Sequence, residues 1–127
     1  MSNGRSNSAM VASMLLLSML VFFSDIVHAT TYTVGDERGW TYNLTDWTKG
    51  KHFKMGDRVV FKYDPRIHDV VSLTGYKKAY EKCITPTATI IYNTGNDEFL
   101  LSGGVNYFIS NIHGQCEAGL KLAIKAE

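Results

Sequence analysis

The sequence predicts an all-β domain, and three features carry that expectation. Apolar and polar residues alternate with period two in short segments, glycine and proline clusters separate these segments at spacings near ten residues, and no long helical period follows residue 30. Such a pattern folds as an antiparallel sandwich or barrel of seven to eight strands. Repeats and low-complexity tracts are absent.

Residues 1–29 stand apart from this pattern. A polar start with Arg5 leads into an apolar run from Met10 to Phe23, and Val27-His28-Ala29 places small residues before a cut. The run is about 14 residues long and interrupted by Ser13 and Ser18, too short for a spanning helix of roughly 20. It reads as a secretory signal peptide, so the expected domain is 30–127, and His28 leaves with the signal.

Thr31 to Val34 opens the strand series, and Arg58 to Tyr63 sets Val59, Phe61 and Tyr63 on one face. Asp64-Pro65-Arg66 is a turn before a strand over His68 to Leu73. One or two helical turns fit Gly75 to Glu81. The β-branched run Thr87 to Tyr92 reads as a strand ending at the turn cluster Asn93-Thr94-Gly95-Asn96, and Phe99 to Leu101, Val105 to Ser110 and Leu120 to Ile124 complete the series.

Without Arg5 and Asp25, the 13 basic and 12 acidic residues of the chain become 12 and 11, a balance that argues against nucleic acid or an anionic membrane as partner. No hydrophobic tail follows Leu120 to Lys125, so a secreted monomer without a lipid anchor is expected. Asn43-Leu44-Thr45 is a sequon for N-glycosylation, which places that loop in solvent.

Export leads to an oxidising compartment, where an even number of cysteines in a small domain is paired. Cys83 and Cys116 are the only two, and closing about 33 residues of chain contributes roughly 3–4 kcal/mol in the chain-entropy model. A free or metal-bound thiol is the alternative. The basic stretch Lys49 to Lys54 reads as solvated loop, Trp40 and Trp47 as packing at the core edge, and His52 has no partner in sequence.

Taken together, Thr33-Val34-Gly35 with Trp40, the segment Phe53 to Tyr63 with Trp47 before it, His68-Asp69-Val70-Val71, Tyr107-Phe108-Ile109, Gly114-Gln115-Cys116 and Gly119 resemble the phytocyanins. These are plant blue copper cupredoxins that include the plantacyanins or basic blue proteins. The resemblance spans the whole domain and implies a Greek-key sandwich of two sheets, with a disulfide at the positions of Cys83 and Cys116. It also implies a copper ligand at His68, and a cysteine, a histidine and a methionine at positions that here hold Ser110, Gln115 and Leu120.

A blue site needs two imidazoles and one thiolate in a trigonal plane with a weak axial sulfur. Ser110 stays protonated near neutral pH, Gln115 is a poor equatorial ligand, and Leu120 cannot coordinate and is expected to pack with Leu122 and Ile124. His113, two residues before Gln115, is the only nearby residue able to pair with His68 around a metal. The expectation is therefore a copper-free domain, similar to the early nodulin-like branch of the family, that binds a cell-wall glycan or protein in the extracellular space or apoplast. The rival expectation is an electron carrier with an unusual copper site. An enzyme is not expected, since no catalytic triad order or metal-hydrolase motif is present.

Overall fold

A computed structural model of the chain describes residues 28–127; of the expected signal peptide, residues 1–27 lie outside the described residues. Six strands are present among them, β1 (Thr31–Thr33), β2 (Arg58–Lys62), β3 (Val71–Ser72), β4 (Asn96–Leu100), β5 (Gly104–Ile109) and β6 (Lys121–Ala126), with one helix, α1 (Lys77–Lys82). They form two three-stranded sheets, ordered β1-β2-β4 and β3-β5-β6. The alternation read in β2 holds, with Val59 and Phe61 fully buried and Tyr63 half-buried.

The structure corrects the strand expectations in three ways. Six strands replace the seven to eight expected, and β1 runs parallel to β2, with Thr31 opposite Arg58, rather than antiparallel. The run Thr87 to Tyr92 is not a strand. Only Tyr92 pairs, through a bridge to Val70, while Ala88 has a φ of 68° and Ile90 is 66% exposed. A β-branched run forms a strand only where a neighbouring backbone completes its hydrogen bonds. In its place β4 begins at Asn96, inside the expected turn cluster, because β2 offers the antiparallel partner Asn96↔Lys62.

The core between the sheets is aromatic. Phe61 lies 4.9 Å from Trp40, 4.7 Å from Phe108 and 5.4 Å from Phe99, centroid to centroid. Trp40 is buried and its Nε1–H donates to the Asp69 carbonyl at 2.8 Å, so it belongs to the core rather than its edge. Trp47 is buried beside Phe53, and the Lys51 ammonium lies 4.9 Å over its ring, which accounts for one cation of the basic stretch. The chain can turn back after β1 because Gly35 has a φ of 73° and a side chain there would meet the Gly39 carbonyl oxygen at 2.2 Å.

A second, smaller cluster packs Val71, Leu73, Ile109 and Cys116 against Tyr80 and Tyr107 under α1. Cys83, in the left-handed region at the end of α1, forms the disulfide with Cys116. The pairing argued from the sequence is therefore present.

Candidate functional site

Four positions read from the sequence as a site converge at one end of the sandwich. His68 and Asp69 lie in the connection before β3, Ser110 directly follows β5, and Gln115 and Leu120 belong to the return from β5 to β6. Two backbone bonds fix this return: Ser110 N–H donates to the Leu120 carbonyl at 3.1 Å, and Leu120 N–H donates to Gln115 at 2.9 Å. Leu120 is fully buried in the main core with Leu122 and Ile124.

The polar side chains bond to one another. Gln115 Nε2 donates to the Ile67 carbonyl at 2.7 Å, which turns its Oε1 inward. That oxygen lies 3.1 Å from His68 Nδ1 and 2.8 Å from Ser110 Oγ. An amide oxygen only accepts, so His68 Nδ1 carries the proton of this bond. The ring nitrogen that faces Gln115 is thus already engaged.

Asp69 is the hub that sequence reasoning missed. It is buried, its Oδ1 accepts from the Asn111 backbone N–H at 2.7 Å and lies 3.0 Å from Ser110 Oγ, and its carbonyl takes the Trp40 indole. Ser110 has one hydroxyl proton for Asp69 Oδ1 or Gln115 Oε1, and its oxygen also accepts from Ile112 N–H at 3.2 Å. Only the adjacency of Asp69 to His68 hinted at this role, because its partners are 29 to 42 residues away in the chain.

His68 is 9% exposed, and its ring lies edge-on to the Tyr42 ring at 5.8 Å. His113 takes no part in the network. It is exposed and lines a cleft of about 120 Å³ beside the disulfide, with Ser110, Asn111 and Glu117, and His68 is not in that wall. Among the described residues no three His, Cys, Asp or Glu side chains gather as a metal-binding group. On the approach to His68, the Arg66 guanidinium bonded to Asp64 holds that carboxyl below the ordinary range.

A second polar knot lies nearby. Tyr63 Oη donates to Asp97 Oδ2, and Thr94 Oγ1 donates to Asp97 Oδ1 at 2.7 Å. Burial, and then the Asp97 bond, push the Tyr63 phenol well above its usual range.

Comparison with known proteins places this arrangement. A family model for the plastocyanin-like domain matches residues 33–120. The chain belongs to the phytocyanins, within that plastocyanin-like family. It is 41% identical to a basic blue protein of Arabidopsis thaliana over 99% of both chains, and 39% identical to chemocyanin of Lilium longiflorum over 98% of this chain and 96% of that protein. The solved structure of cucumber basic protein, a blue copper protein, superposes with a TM-score of 0.72 at 39% identity, covering 77% of this phytocyanin and all of the cucumber chain. The fold is thus cupredoxin-like.

The residues of this member do not supply the donor set of a blue copper centre. The network around Ser110 holds one imidazole, His68, where a blue centre needs two, its hydroxyl is neutral, and both sulfhydryls of the chain are spent in the disulfide, which leaves no thiolate.

Proposed function

We propose that this phytocyanin domain works outside the cell without type 1 copper, as a non-catalytic binding or signalling module for a cell-wall glycan or protein. The observation that carries the reading is the network itself. His68, Ser110 and Gln115, three of the four positions where the resemblance implies copper ligands, satisfy one another and Asp69 by hydrogen bonds, while Leu120 fills the core. A cation entering this cluster would have to break those hydrogen bonds.

Export is supported by Val27-His28-Ala29 and by the disulfide, which persists in oxidising compartments. Among the described residues no helix is long and apolar enough to cross a membrane. Glycosylation at Asn43 is supported by its exposure in the left-handed region, with φ 58°. A side chain at Gly119 would meet the Asn43 Oδ1 at 2.8 Å, so the oxygen faces the protein.

Titration of the purified protein with Cu(II) tests the reading. No intense visible thiolate-to-copper band is expected, and such a band, the signature of the rival electron carrier, would overturn the proposal. The triple replacement Ser110→Cys, Gln115→His and Leu120→Met is expected to gain that band in the same scaffold.

A further inference from the structure

Asp57 is 2% exposed, yet among the described residues its carboxylate forms an ion pair with no cationic side chain. The neighbouring cations look elsewhere, with Arg58 paired to Glu98 and Lys54 exposed. Its two oxygens accept from two backbone nitrogens, Oδ2 from Lys54 at 2.9 Å and Oδ1 from Thr30 at 2.9 Å. Hydrogen bonds offset the desolvation of a buried carboxylate, and they do so most strongly when one donor carries a positive charge. Thr30 is the residue that follows Val27-His28-Ala29, the small-residue pattern of a signal cut.

We propose that cleavage between Ala29 and Thr30 is a maturation step that completes the fold: the new α-ammonium of Thr30 becomes the buried counter-ion of Asp57. The inference rests on the export reading above. Hydrolysis of the Ala29–Thr30 amide by a protease of the exporting membrane consumes one water, leaving a carboxylate on Ala29 and an amine on Thr30. That amine takes up a proton near neutral pH, since α-amino groups titrate near 7.7–8.0.

The geometry is held on both sides before the cut. Arg58 N–H donates to the Thr30 carbonyl at 2.9 Å, and the parallel ladder pairs Thr31 with Arg58, so Thr30 N is fixed against Asp57. Asp57 is fixed in turn, its N–H bonded to Lys54 O at 3.0 Å and its carbonyl to Leu101 N–H at 2.8 Å. Residues 28–30 are exposed, so a protease can reach the bond. In the uncut chain Thr30 offers Asp57 a neutral N–H; in the cut chain it offers a full positive charge at the same place, a stronger bond. A cut one residue earlier or later would put the charge where Asp57 does not reach it as directly.

The test begins with the full precursor made in a eukaryotic secretory host and the intact mass of the secreted product. A chain beginning at Thr30 is expected. A secreted chain beginning elsewhere overturns this inference while leaving export standing, and a chain retained uncut in the cell overturns both. Next, a precursor with one glycine inserted between Ala29 and Thr30 is processed to a product whose charge sits one residue further out, with every side chain intact. Its melting temperature is expected to fall by about 4–8 °C relative to the native product. Selective acetylation of the native α-amine is expected to lower it by a similar amount. The insertion is expected to change nothing when Asp57→Asn is also present. Unchanged melting on both insertion and acetylation, or an equal loss with and without Asp57, would overturn the pairing. Should Asp57→Asn fail to accumulate, insertion and acetylation decide the matter alone.

Discussion

The main core gathers fourteen buried residues around the Phe61, Phe99 and Phe108 rings, whereas the cluster under α1 gathers four and includes a disulfide cysteine among them. Burial alone holds the first: each large apolar side chain removed from water contributes on the order of 1.5–3 kcal/mol. The second has a six-residue helix whose every residue is exposed or half-buried, too short to be stable by itself. A covalent link to Cys116 therefore fixes what packing does not. The site residues sit between the two regions, Ser110 beside Ile109 of the small cluster and Leu120 in the main core.

The contrast can be broken from either side. Phe61→Ala is expected to have the largest effect, a loss of about 3–5 kcal/mol in denaturant unfolding, because three aromatic neighbours lose their common partner. Replacing Cys83 and Cys116 together by alanine is expected to lose roughly 3–4 kcal/mol. Its signature should be regional: amide exchange under α1 rises, while β2 and β5 keep their protection relative to global opening. If both variants lost protection uniformly, the two regions would be one unit.

Ser110→Ala, at the junction, is expected to cost about 1–3 kcal/mol, since Ile112 N–H loses its acceptor and Asp69 loses a donor. The smallest effect concerns alkaline pH. Burial raises the phenols of Tyr63, in the main core, and Tyr80, in the small cluster, above their unfolded value. A raised folded pKa means the contribution is fully present below about pH 10 and is lost as pH rises above it. Melting temperature is accordingly expected to fall between pH 9 and 11, and Tyr63→Phe to make that fall shallower. An unchanged slope in this variant would assign the alkaline loss to the Tyr80 region.

Much of this arrangement was legible along the chain. Alternation in Arg58 to Tyr63 and Leu120 to Ile124 marked the buried faces, and two cysteines left one intrachain pairing. The short helix fell within a residue or two of the stretch Gly75 to Glu81. Thr87 to Tyr92 misled because strand propensity describes a residue's fit to a sheet and is silent on whether a neighbouring strand exists. The parallel pairing of β1 with β2 was equally hidden, since alternation is the same for either direction.

By itself, then, the sequence determined which residues face inward, that the sulfhydryls pair, and that a hydroxyl, an amide and an alkyl group stand where the family resemblance implies copper ligands. Those are properties of residue type and local period. Only the tertiary structure decided that Asp69 joins Ser110 and Asn111, that Gln115 holds the His68 ring by one nitrogen, and that Asp57 lies against Thr30. These contacts link residues 27 to 47 positions apart, and the energy that makes them is set by desolvation and donor geometry at the meeting point, which no local pattern encodes.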